Sequence, residues 1–207
     1  MHIPAALAAG YRRFRSERYA AEAERYRALA KGQRPRTMII ACADSRADPA
    51  MIFAAAPGEL FVVRNVAALV PPCEQGGGYH GTSAAIEFAV TELAVANIVV
   101  MGHGLCGGIA AAAARRPAGG FIGPWVELLA PIRDQVAEAG AALDAGARQK
   151  LFEQRAVLFS LDNLTSFPFI SRAIDLGQLS LYGAWFQIAK GELEWLDAES
   201  GRFEPVV

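Results

Sequence analysis

Three short apolar runs constrain this chain more than any other feature: Thr37-Met-Ile-Ile-Ala41, Leu60-Phe-Val-Val63 and Asn97-Ile-Val-Val-Met101. Each is too short for a buried helix, carries no charge and is rich in β-branched residues, so each reads as a strand covered on both faces. Helical periodicity fills the gaps between them. Residues 82–95 place Ala85, Ile86, Ala89, Val90 and Leu93 on one face, with Thr82 or Ser83 as the expected cap. Further helices are expected at 107–116, 125–139, 147–161 and 167–176, with Pro131 and Pro168 near their boundaries. Residues 178–188 alternate as a strand, and 192–196 form its hairpin partner across Lys190-Gly191. The expected fold class is therefore α/β: a mostly parallel central sheet flanked by helices, with an antiparallel edge strand. Residues 4–31 read as one helix bearing Leu7, Tyr11, Phe14, Tyr26 and Leu29, ended by Gly32 and Pro35. No repeat or linker divides the chain, so 1–207 is read as a single domain, with 1–34 an N-terminal helical arm and 35–207 the α/β core.

Charge excludes some partners. Lys and Arg number 20 against 21 Asp and Glu, a net charge of -1, so nothing global draws the chain to nucleic acid or to an anionic membrane. Arg12, Arg13 and Arg15 are followed closely by Glu17, Glu22 and Glu24, as on a solvated helix face. Residues 93–114 lack Asp, Glu, Lys and Arg, but Asn97, Gly102, His103, Gly104, Gly107 and Gly108 interrupt them, which suits strand, loop and helix in succession better than a membrane span. The three cysteines, Cys42, Cys73 and Cys106, are too few for a disulfide scaffold. With no secretory signal pattern, they suggest a reducing, cytoplasmic setting in which close Cys and His sets bind metal.

Two segments carry the chemistry, and each follows a strand: Cys42-Ala-Asp44-Ser-Arg46 and Gly102-His103-Gly104-Leu105-Cys106-Gly107-Gly108. Ligands collect beyond the carboxyl ends of parallel strands. If the first and third strands are neighbours, Cys42, His103 and Cys106 converge. Two thiolates and an imidazole suit one zinc ion per chain, and three protein ligands leave a fourth corner for water, as in catalytic sites. Asp44 and Arg46, two residues apart, are expected to pair by charge-assisted hydrogen bonds. Asp44 is then either the proton acceptor beside the metal or, swung inward, a fourth ligand that blocks it. Cys73 follows Pro71-Pro72 without a nearby partner and reads as a loop thiol. His2 and His80 read as surface residues, His80 with a potential part in proton relay. The same glycines also spell a dinucleotide fingerprint, Gly102-x-Gly104-x-x-Gly107, but the acid that should end the next strand is missing: Glu127 falls in a helical stretch.

At these residues the sequence resembles the plant-like branch of the β-class carbonic anhydrases. The family pattern Cys-x-Asp-Ser-Arg stands as Cys42 to Arg46, and Gly-His-x-x-Cys-Gly-Gly as Gly102 to Gly108, with sixty residues between Cys42 and His103. The likeness extends through Pro57-Gly-Glu-Leu-Phe-Val-Val-Arg-Asn65, Gly81-Thr-Ser83, Ile86-Glu87 and Gly191-Glu-Leu-Glu-Trp195, covering roughly 30–197. It implies reversible hydration of carbon dioxide to bicarbonate and a proton by hydroxide on zinc. Asp44 and Arg46 would be catalytic, and Gln33, Phe61, Val66, Phe88 and Gly107 would bind substrate. Phe88 stands where the branch often has tyrosine and Gly104 where the family often has serine, which implies a looser loop at Gly104. The resemblance also implies a dimer or larger assembly, with the first helix embracing a neighbour and the pocket drawing on both chains. Other readings of the same residues are a hydrolase of carbon disulfide or carbonyl sulfide and a non-catalytic zinc or redox module using Cys73.

Overall fold

The computed structural model describes residues 3–74, 78–115 and 120–207; His2 lies outside them. The elements run α1 (Ala5–Ser16), α2 (Arg18–Ala21), α3 (Ala23–Leu29), β1 (Thr37–Cys42), α4 (Pro49–Ile52), β2 (Leu60–Asn65), α5 (Gly81–Glu87), β3 (Asn97–His103), α6 (Gly107–Ala113), α7 (Ile122–Glu127), α8 (Ala130–Ala139), α9 (Ala145–Thr165), α10 (Pro168–Asp175), β4 (Ser180–Gln187), β5 (Glu192–Leu196) and β6 (Phe203–Pro205). A 3₁₀ turn, Val66–Ala68, follows β2, and a π-helical stretch, Phe88–Glu92, continues α5.

The strands form one sheet in the order β2-β1-β3-β4-β5-β6. β2, β1, β3 and β4 are parallel, whereas β5 and β6 add antiparallel pairs at one edge. The three apolar runs are the three parallel strands expected, and β1 and β3 are neighbours. Their residues alternate between two packed faces, as the absence of any charged position requires. Met38, Ile40, Ile98 and Val100 pack with Ile86, Leu164 and Ile170. Ile39, Ala41, Val99 and Met101 pack with Ala184 on the other side. Each such large side chain contributes about 1.5–3 kcal/mol by leaving water.

Local chemistry moves several boundaries. The arm is not one helix but three, broken at Glu17 and Glu22. Phe14 and Tyr26 would stand about 18 Å apart along an unbroken helix; the breaks bring their rings to 5.9 Å, with Tyr19 5.1 Å from Tyr26. None of the three helices has a buried residue. The arm reaches the core through Arg25, which contacts Glu59 at 3.2 Å. Leu29 lies so near Gly58 (φ +86°) that a Cβ there would meet its side chain at 2.5 Å.

The cap of α5 is His80, not Thr82 or Ser83. The Thr82 hydroxyl instead accepts from Asn65 Nδ2 at 3.2 Å, tying this helix to the end of β2. Prolines start both α8 and α10, where a missing N–H costs nothing. The 21-residue α9 is capped by Asp144, which accepts from the Ala147 amide at 2.9 Å.

Candidate metal centre

β1 ends on Cys42 and β3 on His103, both at the carboxyl edge of the sheet. A tight turn then returns Cys106 to the same point. That turn needs Leu105 in the left-handed region, φ 58°, an uncommon state for a branched side chain. The result is a group of three buried donors whose ligand atoms all lie within 4.8 Å of one another, the sulfurs 4.0 Å apart. Cys42, His103 and Cys106 are 6%, 1% and 2% exposed.

The donors fit a divalent cation. His103 Nδ1 donates to the Gly104 carbonyl at 2.9 Å, which leaves Nε2 as the inward-facing acceptor. Nε2 is buried without a hydrogen-bond partner, as expected of an atom meant for a metal. The two sulfurs compete for one proton. The hydrogen bond between the two sulfurs, more than any other contact, lowers the pKa of Cys42, against the effect of burial. The same hydrogen bond, with burial, pushes Cys106 up. Burial works against a charged His103 ring, but the Cys42 sulfur, the Gly104 carbonyl and Asp44 outweigh it and raise its pKa. A cation that takes two thiolates and a neutral imidazole displaces these protons, and an S₂N donor set is one that zinc, the cofactor of this site type, accepts.

Asp44 stands beside the cluster, Oδ2 3.9 Å from His103 Nε2. Both its oxygens are engaged by Arg46: Nε to Oδ1 at 2.9 Å, Nη2 to Oδ2 at 2.7 Å, and the Arg46 amide to Oδ1 at 2.9 Å. These bonds, the side-chain ones first, hold the Asp44 carboxyl far below the usual carboxylate range. Arg46 also donates to the Leu105 carbonyl at 3.3 Å, so one guanidinium links the two metal-bearing loops.

Several contributors carried no role in the sequence reading. Arg64, on the neighbouring β2, donates to the carbonyls of Cys42 at 2.9 Å and Asp44 at 2.5 Å and to Asp48 at 2.9 Å, fixing the first loop from the side. Asn65 closes the following turn through Leu69 in both directions, 2.8 and 2.9 Å. Inside that turn Ala67 and Ala68 hold φ 67° and 56°, which points the Ala67 amide at Cys42 Sγ, 3.3 Å away. Glu153, from α9, accepts from the Cys106 amide at 2.9 Å. A charged residue inside the apolar face of Phe152, Ala156, Val157 and Leu164 was the signal available for it.

Gly104 is not loose. Its amide donates to the Phe186 carbonyl at 2.9 Å, and a Cβ there would meet Trp185 at 3.2 Å. At Gly108 a Cβ would meet Val66 at 2.7 Å, so α6 can approach the 66–68 turn only without a side chain there. At Gly107 a Cβ would meet nothing within 4 Å. The dinucleotide reading loses its second half, since the strand after β3 is β4, which ends on Gln187.

The expected substrate residues divide into two sets. Val66 and Gly107 lie at the metal edge, whereas Phe61 and Phe88 lie together, ring centroids 6.0 Å apart, elsewhere. Phe61 pairs with Met38, four residues before Cys42 in β1 and so about 13 Å along the strand. Gln33 is exposed in the segment entering β1, at the opposite edge of the sheet from the cluster. One chain therefore does not bring Gln33, Phe61 and Phe88 to Cys42. A cleft of about 830 Å³ opens beside Val66, lined by Asn65, His80, Thr82, Phe121 and Trp125 among others.

Comparison with known proteins agrees with this arrangement. Residues 37–193 match the family described as carbonic anhydrase. The chain is 36% identical over 188 residues to β carbonic anhydrase 6, mitochondrial, of Arabidopsis thaliana; the match takes in 88% of this chain but 63% of that relative, less than two thirds of its length. Among solved structures, the β-carbonic anhydrase CcaA superposes with a TM-score of 0.91 at 28% identity, covering 97% of this chain and 98% of that one. A structure from the work on two tetrameric β-carbonic anhydrases of the ascomycete Sordaria macrospora gives 0.84 at 32% identity, covering 93% and 95%. With its sheet order, its buried Cys-His-Cys cluster and a family match over most of its length, the chain belongs to the β-carbonic anhydrases.

Proposed function

We propose that this protein catalyses the reversible hydration of carbon dioxide to bicarbonate and a proton, with zinc held by Cys42, His103 and Cys106. The observation that carries this reading is the convergence of two sulfurs and an unpartnered imidazole nitrogen within 4.8 Å, next to a carboxylate already fixed by an arginine. Zinc, when bound, supplies a water that loses its proton near neutral pH rather than at ~15.7.

The chain's own residues do the rest. Asp44, kept ionised by Arg46, would accept a hydrogen bond from the attacking water and so orient it toward the substrate carbon. Ligation by Asp44 would break its hydrogen bonds to Arg46, so Asp44 acts from beside the metal. Val66 and Gly107 border the corner; the absence of a side chain at Gly107 leaves room for a small linear molecule. Gln33, Phe61 and Phe88 come from a second copy, which closes the apolar side of the pocket. The Gln33 amide then stabilises the oxygen that gains charge during attack. This shared pocket rests on the separation of those residues from Cys42 in one chain and on the exposure of Phe88, 46%, and Val66, 37%. The tetrameric Sordaria relatives support self-association.

Cys42, Cys73 and Cys106 are free thiols, and no described helix is long and apolar enough to cross a membrane. The cysteines support a reducing compartment, for which we propose the cytoplasm; the Arabidopsis relative bears a mitochondrial name.

The test joins metal analysis to stopped-flow hydration of carbon dioxide, with carbon disulfide and carbonyl sulfide as competing substrates. One zinc per chain and turnover of carbon dioxide above the other two gases support the reading. Zinc-loaded protein without hydration contradicts it.

A further inference from the structure

Glu153 is a carboxylate with no business in an apolar core unless something there requires it. It sits on the buried face of α9, 2% exposed, among Phe152, Ala156, Val157 and Leu164. Among the described residues no Lys or Arg pairs with it. Three neutral donors take up both oxygens instead. Oε1 accepts from the Cys106 amide at 2.9 Å and from Gln149 Nε2 at 3.0 Å, and Oε2 accepts from Trp185 Nε1 at 3.1 Å. Burying a carboxyl group is costly unless its hydrogen bonds are made, and one of these goes to the backbone of a metal-ligating cysteine.

The turn that carries His103 and Cys106 has few fixings of its own. Its Gly104 amide is held by Phe186, and its Leu105 carbonyl by Arg46. The Cys106 amide precedes α6 and has no partner within that helix. Leu105 in the left-handed region leaves the turn strained, and the path of this turn sets where Cys106 Sγ stands relative to Cys42, 4.0 Å away. Glu153 takes that last amide. Trp185, whose ring packs on Gly104 of the same turn, and Gln149, one turn earlier on α9, hold Glu153 in place.

We infer that Glu153 is a positioning residue for the metal centre: it fixes the Cys106 thiolate by accepting the Cys106 amide, and Trp185 and Gln149 hold it in place as a hydrogen-bond acceptor. The inference rests on the zinc reading above. It acts through acceptor geometry, which gives it an unusual signature. Glu153→Gln keeps size but has one oxygen and one NH₂. With its oxygen toward Cys106 and Gln149, its NH₂ faces the Trp185 N–H, two donors against each other.

The test measures zinc affinity by competition with a chromophoric chelator, and the thiolate-to-metal absorption of the cobalt-loaded protein, with thermal unfolding of each variant alongside. Glu153→Gln and Glu153→Ala should each weaken zinc binding about 10–100-fold, the usual effect of losing a group that orients a ligand, and should shift the cobalt band. Adding Trp185→Phe removes the clash. It should return the double variant Glu153→Gln with Trp185→Phe to within about threefold of Trp185→Phe alone, and should not rescue Glu153→Ala. Gln149→Leu, on the helix surface side, should give a smaller loss in the same direction and keeps the test open if the Glu153 variants fail to fold. Wild-type affinity and cobalt spectrum in Glu153→Gln and Glu153→Ala, or in Gln149→Leu where those do not fold, would overturn the inference. So would a loss of melting temperature with the cobalt band unmoved, which marks a merely structural residue. Wild-type protein that binds no zinc would instead refute the metal reading itself.

Discussion

The carboxyl edge of β1 and β3 and the patch around Phe61 and Phe88 are built by opposite means. At the edge, the functional loops are fixed by hydrogen bonds from several elements. Cys42 is reached by the Ala67 amide and held through its carbonyl by Arg64, Cys106 is held by Glu153, and Asp44 is held three times by Arg46. At the patch, two rings lean on each other 6.0 Å apart, one of them nearly half exposed, and Gln33 lies exposed at the amino edge. Metal binding tolerates errors of only tenths of an ångström, and here one chain supplies all three donors. A pocket for a small apolar gas needs only surfaces, and a second copy can bring those.

The largest effects are expected at the metal edge. His103→Ala and Cys106→Ser should lower zinc from one per chain to near none and abolish hydration, read by elemental analysis and stopped flow; Phe88→Ala should leave zinc content unchanged. Retention of zinc in either ligand variant would dissolve the distinction between the two regions. Asp44→Asn should keep the metal and lose about 10²–10³-fold in kcat/KM, the scale of a positioned proton-accepting group; loss of zinc in that variant would make Asp44 a ligand instead.

Pocket sharing between copies is read by complementation. Cys42→Ser removes the metal and Gln33→Ala removes the far amide, so each alone should be poorly active. If pockets are shared, mixing the two and reassembling them should restore about a quarter of wild-type activity, since half the dimers are mixed and each holds one intact site. No recovery would place the whole pocket in one chain. The smallest effect concerns acid. The folded pKa of Asp44 lies below its unfolded value of about 3.9, so its pairing with Arg46 stabilises the fold fully above that value and less as pH falls through it toward the folded pKa. The stability gap between wild type and Asp44→Asn, read from denaturant midpoints, should therefore be constant from about pH 7 to 5 and narrow below about pH 4.

What the sequence disclosed follows the same division. Three of the four parallel strands are legible because each contains a short uncharged apolar run, and the candidate metal ligands because rare residue types sit at or just after strand ends. The arm reads as one helix because no Gly or Pro marks the breaks at Glu17 and Glu22; aromatic packing between Phe14, Tyr19 and Tyr26 sets them. The expected cap is misplaced because Thr82 serves Asn65 rather than its own helix. Arg64 and Glu153 escape notice because they reach the metal-site loops through backbone atoms of Cys42, Asp44 and Cys106, and backbone partners leave no mark on residue spacing. β6 is hidden because only three residues pair, one of them proline.

In the proposed centre, two sulfurs and one imidazole nitrogen of a single chain share one zinc ion, with solvent as the fourth ligand. X-ray absorption at the zinc edge of the metal-loaded protein reads that set directly. Two sulfurs at about 2.3 Å with one nitrogen and one light atom at about 2.0–2.1 Å are expected; a shell without sulfur, or one of four sulfurs, would rule this centre out.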